Sequence, residues 1–187
     1  ALALSTIYPF GVYVLAGLAT DAVTASAENN PPQGNSRLLA VDTLRGYLVS
    51  IDPHTANTVI LNPYQVTDWI GATGLAVTQE TVWFTRGASV FCCDRNSLTP
   101  VEFATLDYPA NGVALWEGKA YVTCQKSGYI HVFDQASGDL LTRIPQPGIG
   151  IENITATDTG LWVCDRTEQT VYCVDPATGN ILASALT

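Results

Sequence analysis

Six side chains offer oxygen or amide donors at positions where a ligand could be held: Asp42, Thr73, Asn111, Glu152, Asn153 and Asp165. Carboxylates and amides that converge on one point suit Ca²⁺, which takes roughly six to eight oxygen ligands. Arg86 adds a cation to this set. Trp69, in the short string DWI (68–70), adds an aromatic that could anchor a partner or cover an edge of the fold. Nucleophilic and general-base chemistry is poorly served. His131 sits inside an apolar run and reads as a core or inter-blade histidine, while His54 falls in a turn and reads as solvated. Cys92, Cys93, Cys124, Cys164 and Cys173 contain no C-x-x-C pair, so zinc spacing is absent and they read as buried, reduced thiols of a cytoplasmic protein. No phosphate-binding loop or nucleophile elbow occurs. No catalytic residue and no resident cofactor are assigned, and Ca²⁺ stays open as a ligand of the oxygen set.

The elements that must position these groups are repeats. Four hydrophobic runs each close on an aspartate: YLVSID (47–52), VFCCD (90–94), IHVFD (130–134) and VYCVD (171–175). The aspartates are 42, 40 and 41 residues apart, and a hydroxyl follows each by three: Thr55, Ser97, Ser137 and Thr178. A carboxylate and a hydroxyl so spaced can both accept N–H bonds in a tight turn, with Gly138 and Gly179 supplying its left-handed position. Upstream, Leu39, Trp83, Tyr121 and Trp162 read as the heads of the preceding strands. Halving the interval from each to its aspartate places the hairpin turns at Arg45-Gly46, Ala88-Ser89, Ser127-Gly128 and Glu168-Gln169. On that register Cys164 faces Cys173. Further back, GLAV (74–77), GVAL (112–115) and NITA (153–156) read as short innermost strands, with Gly17 opening the first copy.

Four strands recurring near 41 residues predict an all-β fold, a β-propeller with four detectable four-stranded blades, and leave open a larger ring. The blades fall at about 12–66, 67–107, 108–148 and 149–187, in a single domain covering 1–187 with a loop-like insertion at 20–36. Asp42, Arg86, Cys124 and Asp165 then end the second strands. Thr73, Asn111 and Glu152 enter the innermost ones, so all gather at one end of the blades with Trp69. The turn hydroxyls lie at the other end.

The turn pattern hhhD-x-x-[ST]-G-x-hh resembles the YVTN, quinoprotein-like and SMP-30/lactonase-like propellers over about residues 12–187. In the lactonase-like members an Asn/Asp/Glu set binds a catalytic metal, and Asn111-Gly112 and Glu152-Asn153 are similar to those positions. VWFT (82–85) is similar to a strand of streptogramin-lyase-like propellers. The whole chain also resembles the propeller region that precedes a transglutaminase-like module in some cyanobacterial proteins, although the Cys and His of such a module have no counterpart here.

Composition bounds the partners. Seventeen acids against eight bases give −9, which argues against nucleic acid and anionic membrane. Residues 1–27 are apolar enough to suggest an anchor or a secretion signal, but Pro9 and Gly11 interrupt them, no basic region precedes them, and they read as buried strand. With 47% hydrophobic and 13% charged residues, both faces of every sheet read as apolar. A terminal blade would then expose an apolar face on the order of several hundred Å², which soluble monomers rarely tolerate. Burial is expected from missing blades of the same ring, a protein partner, or a homodimer of eight blades. The favoured reading is a non-catalytic binding or scaffolding propeller within a larger protein or assembly. The alternative is an incomplete lactonase- or lyase-like enzyme with a divalent cation on the axis.

Overall fold

A computed structural model describes residues 15–21, 37–53, 55–64, 66–124 and 126–187. His54, the apolar stretch 1–14 and residues 22–36 of the expected insertion lie outside the described residues. The chain folds as a four-blade β-propeller of four antiparallel sheets, with its single short helix, among the described residues, between the first two blades. Blade 1 comprises β1 (Leu15–Asp21), β2 (Arg37–Asp42), β3 (Tyr47–Ile51) and β4 (Thr58–Ile60). The helix α1 (Val66–Trp69) leads into blade 2, made of β5 (Ala72–Val77), β6 (Thr81–Arg86), β7 (Ser89–Asp94) and β8 (Val101–Thr105). Blade 3 is β9 (Ala110–Trp116), β10 (Lys119–Cys124), β11 (Tyr129–Asp134) and β12 (Leu140–Pro145). Blade 4 is β13 (Ile151–Thr157), β14 (Gly160–Asp165), β15 (Thr170–Val174) and β16 (Ile181–Leu186). Each blade is a meander whose strands pair in sequence order, and its first strand is innermost.

The repeated aspartates build the turns as their spacing implies. The Asp134 carboxylate accepts the N–H of Ala136 at 3.0 Å and of Ser137 at 2.8 Å, and Asp175 does the same for Ala177 and Thr178 at 2.9 and 2.8 Å. Ser137 Oγ then accepts the Asp139 N–H at 3.2 Å. This closes the turn without help from the rest of the fold.

The hairpin register differs from the expectation in every blade. Trp162 pairs with Cys173 and Cys164 with Val171, so Cys164 and Cys173 do not face each other. The same offset holds for Trp83 with Cys92, Tyr121 with Val132 and Leu39 with Ser50. The reason is that the aromatic is the third residue of its strand, not the first, so halving its distance to the aspartate puts the turn one residue late. The loops accommodate this with a left-handed residue at their end, Gly128 (φ 71°) in blade 3 and Gln169 (φ 50°) in blade 4.

The core lies between blades. Leu39, Val41 and Leu48 of blade 1 pack on Ala72, Leu75, Val82 and Phe84 of blade 2. Trp83 and Val90 meet Val113, Ala120 and Val122 of blade 3, and Tyr121, Ile130 and Val132 meet Ile154, Leu161 and Val163 of blade 4. Successive blades also touch through their inner strands: β1 on β5, β5 on β9 and β9 on β13. Among the described residues no strand of blade 4 packs on blade 1 to a comparable extent. No helix of the described residues is long and apolar enough to cross a membrane.

Candidate functional site

Strand pairing brings most of the expected oxygen set to one end of the blades. Ala72 pairs with Arg86, Ala110 with Cys124 and Ile151 with Asp165, so the innermost strands begin beside the ends of the second strands. The carboxylates there are committed to the fold. Asp42 is fully buried and accepts the N–H groups of Leu44 and Arg45, both at 3.1 Å, while its other oxygen takes the Arg45 guanidinium at 2.9 Å. Asp165, 2% exposed, accepts Glu168 N–H at 2.9 Å and Gly150 N–H at 3.0 Å, tying the blade 3–4 connection to the last hairpin. Burial pushes its carboxyl up, but the N–H groups of Glu168, Gly150, Thr167 and Ile149 outweigh that and hold it below the ordinary value. Glu152 pairs with Arg166 at 3.1 Å on the exposed surface.

Amides and hydroxyls are bonded at the start of the innermost strands. Thr73 Oγ1 lies 2.7 Å from Thr85 Oγ1, which accepts the Gly74 N–H at 2.7 Å. Asn111 Nδ2 donates to the Ile151 carbonyl at 3.2 Å, and Asn153 Oδ1 accepts the Ile154 N–H at 2.8 Å. The Asn111 bond joins the inner strands β9 and β13, the threonine bonds join β5 to β6, and the Asn153 bond stays within β13. Among the described residues no three His, Cys, Asp or Glu side chains gather as a metal site would require.

The remaining two members of the set are structural in their surroundings. Trp69 is fully buried, stacked on Phe84 with ring centroids 4.2 Å apart, and its Nε1–H donates to the Leu98 carbonyl at 3.3 Å. It covers the blade 1–2 core and presents nothing to a ligand. Arg86 lies 4.4 Å over the Phe91 ring and donates to the Asp68 carbonyl, which ties α1 to blade 2.

A different surface is left open. The third residue of each second strand faces the following blade, and Leu39, Trp83 and Tyr121 are 1%, 3% and 1% exposed because that blade covers them. Trp162 holds the same place in blade 4 and is only half-buried. Pairing puts Asn153, Thr155, Cys164, Val171, Cys173, Ala183 and Ala185 on its face. Thr155, Cys164, Ala183 and Ala185 are exposed. A cavity of about 440 Å³ runs from this face to the inner strands of blades 2 and 3. An apolar end face was expected from the composition, which reads both faces of every sheet as apolar. Sequence reasoning misses its residues; the available signal is that Trp162 is the fourth member of the series Leu39, Trp83 and Tyr121.

No protein-family model matches the chain, and no curated sequence relative matches it. Solved structures do share its fold. A chain of a nidogen/laminin complex superposes with a TM-score of 0.68 at 12% identity, covering 94% of this chain and 81% of that one. Myxococcus xanthus glutaminyl cyclase gives 0.62 at 16%, covering 81% and 66%. A streptogramin B lyase gives 0.57 at 15%, covering 84% and 53%. At these identities the likeness shows the propeller fold alone.

Proposed function

We propose that this propeller is a non-catalytic binding or scaffolding module that docks through the far face of blade 4. The observation that carries the reading is Trp162. Three blades bury the residue at this place against a following sheet, and the fourth offers the same apolar surface uncovered. The complement of such a face is another blade-like sheet, supplied by further blades of the same ring or by a partner. The face carries no Asp, Glu, Lys or Arg, so its recognition rests on apolar packing and shape. The catalytic alternative finds no matching support, because Asp42 and Asp165 spend their oxygens on backbone N–H groups and Glu152 is paired with Arg166.

The test joins sedimentation equilibrium to thiol labelling. Cys164 reports on the face, so in the monomeric chain it should alkylate at the rate of a free thiol and be protected on assembly. A monomer in which Cys164 is inert and Trp162 is inaccessible to quencher would mean that the face is closed within the chain, and the reading would fall. Calorimetric titration of Ca²⁺ into the chelator-treated protein separates the enzyme reading: saturable micromolar uptake would favour it.

A further inference from the structure

The blades repeat their forward face position by position, and blade 4 departs from the others at three places. Two residues after Leu39, Trp83 and Tyr121 come Val41, Thr85 and Thr123, all fully buried. Opposite them on the inner strands stand Gly17, Gly74 and Gly112. A Cβ on Gly74 would lie 2.6 Å from Gly112 Cα, and one on Gly112 2.9 Å from Asn153 Cα, so these glycines clear the inner strand of the next blade. In blade 4 the same places hold Trp162, half-buried, Cys164, exposed, and Asn153. Asn153 has the side chain that this close approach excludes. Blade 4 is therefore not built to receive another inner strand at that distance. A sheet that meets it face to face, at an ordinary separation of roughly 10 Å, does not need the glycine.

Charge and size select the sheet. The chain carries −9, so two copies repel wherever their acids are opposed. No Asp, Glu, Lys or Arg lies on the blade 4 face, and two such faces can meet without burying a charge. Trp162 stands beside Thr155, Cys164, Ala183 and Ala185, all small and exposed, so one face carries both a ridge and the floor that suits it. The outer strand of this blade is also unguarded. The strand β8 carries Glu102, β12 carries Arg143 and Pro145, and β4 is three residues long, whereas β16 has six exposed residues with no charge and no proline. Charge, proline and shortness are the devices that keep sheet edges from associating.

We infer that the occupant of the blade 4 face is blade 4 of a second copy of this chain, packed about a twofold axis with each Trp162 over the small residues of its partner. This rests on the reading of blade 4 as a docking face and names what docks there. The contact is isologous, so it closes at two copies.

Sedimentation equilibrium of the full chain, read together with alkylation of Cys164, tests the assignment. The average mass should rise with concentration from 19.9 kDa to twice that value and stop, with Cys164 protected over the same range. Ala185→Arg should weaken the dimer about tenfold or more, because it buries a charge without a partner. Leu141→Arg, the same change on β12 of blade 3, should leave the dimer intact. Should Ala185→Arg fail to fold, Ala183→Lys on the same exposed strand decides it. A monomer at every concentration with Cys164 reactive would overturn this inference and leave the docking face standing for a different partner. A monomer with Cys164 inert would remove both. Growth past the dimer, or a dimer unchanged in Ala185→Arg, would place the contact elsewhere and overturn the inference.

Discussion

Gly112 and Asn153 meet across the blade 3–4 boundary so closely that a Cβ on Gly112 would lie 2.7 Å from Asn153 Oδ1 and 2.9 Å from Asn153 Cα. One blade back, a Cβ on Gly74 would lie 2.6 Å from Gly112 Cα. The inner strands therefore stack backbone on backbone, and the glycines are there for clearance. Asn153 is the residue at this repeat position in blade 4, where, among the described residues, no following inner strand packs as closely. Gly74→Ala and Gly112→Ala should each destabilise the fold by ~1–3 kcal/mol through overpacking. Asn153→Ala should cost less than either. Urea denaturation of the three variants checks the order, and equal losses at all three positions would contradict it.

Asp165 should matter far more to stability than to binding. It is buried and receives backbone N–H groups from both the blade 3–4 connection and its own hairpin. Asp165→Ala should cost ~1–3 kcal/mol, the penalty for leaving buried donors without an acceptor. Because its folded pKa is depressed, its charge stabilises the fold above the ordinary carboxylate range, and that contribution is lost as pH falls through the folded value. The aspartate turns at Asp134 and Asp175, whose carboxyls are held low by N–H donors, should weaken in the same direction. Urea midpoints of wild type and Asp165→Ala should converge on acidification below about pH 4.

The cysteines separate by environment. Cys164 is exposed, whereas Cys93 is buried and burial, reinforced by Cys92, pushes its thiol up to about 12. Thiolate is the reactive form, so Cys164 should be modified first by a disulfide reagent and Cys93 only on unfolding. Oxidation should give no Cys164–Cys173 bridge, because the two are not cross-strand partners. Peptide mapping after timed alkylation and after mild oxidation reads both outcomes.

Local chemistry decided what could be read from the chain. The aspartate turns are closed by residues within five positions of one another, so their spacing revealed the blades and their order. Register was harder, since it depends on how far an aromatic stands from the end of its strand, and nothing in the residue types marks that. Of the two readings of Trp69, a cover for an edge of the fold is the one its packing follows: its loop position was legible, but the hollow beside Phe84 that receives it belongs to the packing of two blades. Strand pairing puts the starts of the innermost strands beside the ends of the second strands, where most of the oxygen set stands. Its members' hydrogen-bonding partners, which commit Asp42 and Asp165 to turns, are a matter of loop geometry that the sequence does not display.

His131 should make the fold sensitive to mild acid. It is 6% exposed within β11, its Nδ1 is buried without a hydrogen-bond partner, and its ring lies 6.5 Å from that of Phe133. Arg143 faces it across the β11–β12 pair, and Asp107 approaches from the blade 2–3 connection. Burial lowers its pKa from the ordinary 6.5 and Arg143 lowers it further, while Asp107 and a hydrogen bond with the Tyr129 backbone pull the other way without reversing the shift. The folded protein therefore holds the neutral ring, and the unfolded chain takes up a proton first. Well above the ordinary value of about 6.5 the residue contributes nothing to the pH dependence. As pH falls below that value, stability should decline until the folded pKa is passed, then level off for this group. His131→Phe keeps an aromatic ring in place and removes the titration. Urea midpoints of the wild type should drop between pH 7.5 and pH 5, and those of His131→Phe should stay flatter over the same interval. Parallel curves for the two proteins would mean that His131 stays accessible to protons at no cost to the fold.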